Sequence, residues 1–239
     1  MGAEGLADKI GYAFSRPELR EQALTHPSAV VQQYGRGRSR RRSPPGGYER
    51  LEFLGDRVLG LVIADLLWRR FENEPEGHLT RRHAHLVRRE ALARVADTIG
   101  LGAHLVLSRV ETATGAAGNP AILADACEAL IAAIYLDGGF EAASAFVRRF
   151  WEPLIEEMAA PPCDPKTALQ EWAQARGLTL PAYELVETSG PDHALRFTVA
   201  ANVVGHDRAT ATASSKRTAE AKAAAILLER LAAEPQKSR

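Results

Sequence analysis

Residues 48–59 read Tyr48-Glu49-Arg50-Leu51-Glu52-Phe53-Leu54-Gly55-Asp56-Arg57-Val58-Leu59. At about 100° per residue, Glu49, Glu52 and Asp56 project within roughly 60° of one another, while Leu51, Leu54 and Val58 turn to the other side. The stretch predicts a helix with one acidic face. A second acidic pair interrupts an apolar run, Ile122-Leu123-Ala124-Asp125-Ala126-Cys127-Glu128-Ala129-Leu130-Ile131, with Asp125 and Glu128 three apart on a helix. Two like charges about 5 Å apart repel by roughly 3 kcal/mol at an effective dielectric near 20, so such groups do not gather without compensation. A hard divalent cation removes the repulsion. Oxygen donors without Cys or His suit magnesium, with manganese able to substitute, rather than zinc, and such an ion can polarise a phosphate and activate water.

Outward from these two stretches, the periodicity stays helical. Segments 16–25, 48–71, 78–99, 120–136 and 140–158 repeat apolar residues every three or four positions, and Gly77, Gly100, Gly102, Gly138 and Gly139 fall between them. The first region therefore reads as all-α. Residues 33–47, rich in Gly, Arg, Ser and Pro without periodicity, read as a flexible basic loop. Arg81, Arg82, Arg88, Arg89 and Arg94 form a second basic series along the 78–99 segment. Pro161, Pro162 and Pro165 close this region and mark a boundary.

After the boundary the pattern changes. Asp164 is a good N-cap with Pro165 at the first helical position, and Ala168, Leu169, Trp172 and Ala173 make an apolar stripe ending at Gly177. Segments 182–188, 195–203 and 206–213 alternate as strands do, separated by Gly190-Pro191-Asp192 and Gly205. Residues 215–232 are rich in strong helix formers. The order is helix, three strands, helix: a small α+β domain.

Composition excludes several classes. With 46% hydrophobic residues the chain is too apolar for a disordered one, and 30 Lys plus Arg against 30 Asp plus Glu give no net charge that would single out a polyanionic partner. The longest apolar stretch, 58–68, is broken by Asp65 and too short to cross a bilayer. Glu4 and Asp8 stand where a secretion signal would carry basic residues and an apolar run, and Cys127 with Cys163 make no disulfide framework. The expectation is a cytoplasmic protein with no membrane partner and no organic cofactor.

Residues 48–59 resemble the signature segment of bacterial ribonuclease III, and Asp125 and Glu128 fall at the acidic positions of that family's second motif. Glu76, just before Gly77, matches a further acidic position, and the resemblance runs from about residue 10 to 231. It implies an endonuclease domain over 1–158 in which Glu52, Asp56, Asp125 and Glu128 hold magnesium, Asp56 and Glu128 are catalytic, and Glu49 and Glu76 support them. It also implies a homodimer in which Phe53 enters a pocket on the partner subunit. After a linker at 159–163, the helix–three strands–helix order and Ser215-Lys216-Arg217-Thr218-Ala219-Glu220 resemble a double-stranded RNA-binding domain over 164–233, followed by a tail at 234–239. The resemblance then places Gln170, Glu171 and Gln174 at one minor groove, His193 at the next, and Lys216, Arg217 and Lys222 on phosphate between them.

The activity implied is hydrolysis of double-stranded RNA to 5′-phosphate and 3′-hydroxyl ends with short 3′ overhangs, in ribosomal RNA precursors and other structured transcripts. The alternative is a catalytically inactive RNA-binding protein of the same fold. The chain departs from the family pattern in three places. Tyr48 stands where Asn is frequent, residues 33–47 are longer, and Ala211 and Ala213 replace glycines.

Overall fold

The computed structural model describes residues 3–34, 47–162, 164–191 and 194–233, and the chain divides into two compact units, 1–162 and 163–239. The basic segment 35–46 and the tail 234–239 lie outside the described residues. At the edges of that segment, Gln33 and Tyr34 belong to a helix rather than a loop, and Gly47 is buried against Pro27, where a Cβ would collide with the proline backbone.

In the first unit, α1 (Ala3–Ile10), α2 (Pro17–Leu24) and α3 (Pro27–Tyr34) lead into the long α4 (Glu49–Arg70). Then follow α5 (Glu76–Leu86), α6 (Arg89–Ile99), the short α7 (Arg109–Ala113) and the 37-residue α8 (Pro120–Glu156). The segment 78–99 is thus two helices, not one. The chain leaves helical geometry at Val87 and Arg88, and Gly100, at φ 67°, ends α6 in the left-handed region that glycine adopts without strain. The arginine series consequently does not share one face. Arg82 is 1% exposed: its Nε and Nη2 donate to the Glu74 carboxylate at 2.9 and 2.8 Å, its Nη1 donates to the Met158 carbonyl, and its guanidinium stacks over Phe71. Arg94 instead pairs with Glu157 at the surface.

The core forms around α8. Residues 129–134 of this helix are fully buried, and a helix apolar on every side must be surrounded. α4 supplies Leu51, Val58, Leu59, Val62, Ile63, Leu66 and Leu67 against it, and α6 supplies Leu92, Val95, Ala96 and Ile99. Asn119 caps α8 by accepting from the Ala121 N–H at 2.9 Å, with Pro120 at the first helical position. Within α8, Gly139 is non-helical at φ 80° and ψ −175°, so the run is two helices joined across a kink. Just before the kink, Asp137 accepts from Tyr12 Oη at 2.8 Å, from the N–H of Ser15 at 2.8 Å and from the N–H of Arg16 at 3.0 Å, which fastens the N-terminal segment to the first half of α8.

The second unit is α9 (Pro165–Gln174), β1 (Ala182–Ser189), β2 (Arg196–Asn202), β3 (Ala209–Ala213) and α10 (Lys216–Ala233). The sheet is antiparallel in the order β1-β2-β3, with a register shift between Leu185 and Glu187. Leu169 and Ala173 of α9 meet Ala223, Ala224, Leu227 and Leu231 of α10 and Ala201 and Ala209 of the sheet in one core. Asp164 caps α9, accepting from the Lys166 N–H at 2.9 Å. Ala211 and Ala213 lie inside β3, paired with Val199 and Phe197, ahead of the Ser214-Ser215 connection to α10. Residues 206–208 belong to the turn after Gly205 rather than to β3.

Candidate active site

Gly55 decides how closely α4 and α8 approach. A Cβ built there would overlap the Glu128 carbonyl oxygen, so the backbones touch only because the side chain is a hydrogen. That contact sets Glu52 and Asp56, on either side of Gly55, against Asp125 and Glu128. Their charges act on one another. Burial, followed by the charges of Asp56, Glu52 and Asp125, pushes the Glu128 carboxyl up to about 8, with Arg57 opposing. The Glu52 carboxyl is raised by burial, then by Asp125, Glu49 and Asp56. Burial likewise raises Asp125, whose charged form is favoured by Arg89 and His26.

The structure therefore brings together Glu52, Asp56, Asp125 and Glu128, with the exposed Glu49 at their rim. Glu76 is not brought to them: it is exposed at the start of α5, accepts from Thr80 Oγ1 at 2.7 Å, and is absent from the charges acting on Glu52, Asp125 and Glu128. The side chains do not converge on one point. Asp56 is turned to an ion pair with Arg57, and among the described residues no group of three or more Asp, Glu, His or Cys is close enough to form a finished ligand set. The donor chemistry nevertheless fits a hard divalent cation: four half-buried carboxylates from two helices repel one another, and every donor is oxygen.

Some neighbours carry no signal in the sequence. His26, in the turn between α2 and α3, and Arg89, at the start of α6, act on Asp125 from elements far away in the chain. Tyr48 is 2% exposed and packs edge-on against the His26 ring at 5.5 Å.

Phe53 is 65% exposed beside the acidic face, with the Arg57 guanidinium over its ring. Leu61, at 60%, and Trp68, at 71%, continue the same flank of α4, so an apolar stripe about 80° wide faces outward. In the second unit, Gln170, Glu171 and Gln174 are exposed on α9, opposite the buried Leu169 and Ala173. Lys216, Arg217 and Lys222 are exposed on the first turns of α10, where free N–H groups and cations together favour phosphate. His193 lies outside the described residues.

A family profile described as Ribonuclease-III-like matches residues 16–154, and one described as a double-stranded RNA binding motif matches residues 165–231. The chain belongs to the ribonuclease III family. A protein named Ribonuclease 3 from Azorhizobium caulinodans is 50% identical over 225 residues, covering 94% of this chain and 92% of the relative. Another of that name from Ruegeria pomeroyi is 49% identical, covering 93% and 94%. The solved nuclease domain of ribonuclease III from Campylobacter jejuni is 36% identical, covering 64% of this chain and 97% of that one at a TM-score of 0.56. The chain is thus a ribonuclease III-type endoribonuclease, with a helical nuclease domain followed by a double-stranded RNA-binding motif. Among the described residues no helix is long and apolar enough to cross a membrane.

Proposed function

We propose that this chain is a cytoplasmic, magnesium-dependent endonuclease that hydrolyses phosphodiester bonds in double-stranded RNA. The products are 5′-phosphate and 3′-hydroxyl ends with short 3′ overhangs, and the substrates are ribosomal RNA precursors and other structured transcripts. The observation that carries this reading is the mutual electrostatic crowding of Glu52, Asp56, Asp125 and Glu128 where α4 meets α8. Those four residues would hold the ion, magnesium or in its place manganese, with Glu49 at the rim. When bound, it supplies Lewis acidity at the scissile phosphate and lowers the pKa of water. Glu128, whose carboxyl is pushed up to about 8, and Asp56, the partner of Arg57, would position the attacking water and the ion. Glu76, which accepts from Thr80, is kept as a supporting acid.

The reading divides the chain into an endonuclease domain over 1–158, a linker at 159–163, an RNA-binding domain over 164–233 and a tail at 234–239. Gln170, Glu171 and Gln174 read a minor groove, His193 the next, and Lys216, Arg217 and Lys222 the phosphates between. Lys216→Ala is expected to weaken duplex binding at every sequence and to lower the slope of log affinity against log salt by about 1, as measured by fluorescence anisotropy across a salt series.

The unit of action is a homodimer formed through the outward flank of α4. Phe53, Leu61 and Trp68 are large, apolar and exposed together, and the solved Campylobacter jejuni domain is described as having a region involved in dimer formation. Phe53→Asp should shift the protein toward a monomer in sedimentation velocity at micromolar concentration. An unchanged dimer would place the interface elsewhere. The central test is incubation of the full chain with a long perfect RNA duplex, with and without magnesium, alongside Asp56→Asn. Cleavage that needs magnesium and fails in the variant supports an enzyme. Binding without cleavage in the parent would make the chain an inactive RNA-binding relative.

A further inference from the structure

A charged cluster in the second unit has no part in the reading above. At the start of α9, Asp164 accepts from the N–H groups of Lys166 and Thr167, which fixes the first turn, and the Lys166 side chain reaches α10, where it pairs with the Glu220 carboxylate. The Lys166 ammonium also stands 4.6 Å from the centre of the Tyr183 ring, on β1. One cation therefore joins three elements. Both charged side chains are largely covered, at 35% exposure for Lys166 and 26% for Glu220. The Tyr183 hydroxyl is buried and has no hydrogen-bond partner among the described residues. Burial, followed by the charges of Asp164 and Glu220, pushes that phenol up to about 12, so it stays neutral and adds no charge of its own to the cluster.

The position of Glu220 makes this pairing matter for RNA. At about 100° per residue, Glu220 projects within roughly 60° of both Lys216 and Arg217, one turn further along α10. An anionic side chain thus shares the face that the two cations present to phosphate. Left alone, it would repel phosphate and draw Lys216 toward itself as an i, i+4 partner. Yet among the described residues Glu220 pairs with Lys166 and with neither Lys216 nor Arg217, both of which are exposed. On α9, Lys166 heads the row that continues to Gln170 and Gln174 at four-residue steps. The ion pair therefore spans from the helix read as facing a minor groove to the helix read as facing phosphate.

We propose that Lys166 is a positioning residue for duplex RNA recognition: it neutralises Glu220 and holds that carboxylate off the phosphate face, so that Lys216 and Arg217 stay free for the backbone. Lys166 acts through Glu220 and need not touch RNA itself. The Tyr183 ring is the seat that keeps the ammonium in place, because the face of an aromatic ring attracts a cation. The inference rests on the reading of Lys216 and Arg217 as phosphate contacts.

The test is fluorescence anisotropy with the full chain in chelator and a perfect RNA duplex of about 20 base pairs, longer than the roughly 16 that one such domain spans. Parent, Lys166→Met, Glu220→Gln, the double variant, Lys166→Arg and Lys216→Ala are compared, with melting temperatures recorded in parallel. Lys166→Met keeps an aliphatic stem over Tyr183 and removes the charge, and it is expected to weaken binding about fivefold, the scale of one exposed charge pair. Lys166→Gln takes its place should the methionine variant fail to fold. Glu220→Gln alone should bind as the parent does, because its charge is already compensated. The double variant should return to the parent affinity, and Lys166→Arg should keep it. If Lys166→Met, Glu220→Gln and the double variant lose affinity alike, with lower melting temperatures, the pair only fastens α9 to α10 and the proposal is overturned. A double variant as weak as Lys166→Met would make Lys166 a direct phosphate contact and overturn it as well. If Lys216→Ala binds as the parent does, the phosphate face is misread and the proposal falls with it.

Discussion

Glu128→Gln is expected to abolish magnesium-dependent cleavage and, in the same protein, to raise the melting temperature of the metal-free fold at pH 8. The two effects share a cause. Burial and three neighbouring acids lift the Glu128 carboxyl to about 8, far above its ordinary value of 4.5, so the folded chain holds a proton that the unfolded chain has released. Where the folded state binds more protons than the unfolded one, stability falls as pH rises. The contribution is complete below about pH 4.5 and is lost as the pH climbs through about 8. Glu52 and Asp125 are shifted upward too, and act with the same sign. An amide at 128 never ionises, so the variant's advantage should be small at pH 5 and grow toward pH 8. Magnesium should reverse the order: it binds the folded parent and stabilises it by mass action, while the variant has lost a ligand. The cost to cleavage should exceed the hundredfold that an outer partner commands. Calorimetry at pH 5 and pH 8, with magnesium or with chelator, checks all four corners; a gap between parent and variant that ignores pH would refute the electrostatic account.

Gly55→Ala tests the geometry beneath that site. The added methyl would meet the Glu128 carbonyl, a backbone atom inside a buried helix that cannot swing aside, so α4 and α8 must part. Overpacking of this kind costs about 3 kcal/mol at the upper end of its usual range, or about 6 to 12 °C in melting temperature for a unit of this size. Cleavage should fall further than stability, because separating the helices separates the acids. Gly60→Ala is the control on the same helix. Its Cβ would sit 3.7 Å from His83 Nε2, an ordinary contact, and replacing a helical glycine should stabilise by roughly 0.5 to 1 kcal/mol. If both alanines behave alike, Gly55 is not the point of closest approach.

The sequence carried the parts of this architecture that repeat locally. The acidic face of α4 and the acids of α8 were legible because helical spacing puts Glu52 beside Asp56 and Asp125 beside Glu128 whatever else the chain does. The α9–β1–β2–β3–α10 order was legible because its punctuation is strong, from the Asp164 cap to the turn glycines. Spacing could not reveal which surface each element meets. Arg82 sits in a run of arginines and looks solvated, yet it is buried, because its partners Glu74 and Met158 come from a turn and from the end of α8. His26 and Arg89 are invisible for the same reason: they act on Asp125 from elements far away in the chain, and no periodicity connects them. The break between α5 and α6 leaves no mark in the spacing, because apolar residues keep their rhythm across Val87 and Arg88 while the backbone does not.

The interruption at Gly139 has a mechanical meaning. The first half of α8 bears Asp125 and Glu128 and is anchored at its end by the Asp137 clamp, whereas the second half leads toward the connection to the RNA-binding motif. Because the chain leaves helical geometry there, the second half of α8 packs Ala143, Phe146, Val147, Trp151 and Ile155 into the same core as the first, and the acids stand on a segment held by the Asn119 cap at one end and the Asp137 clamp at the other.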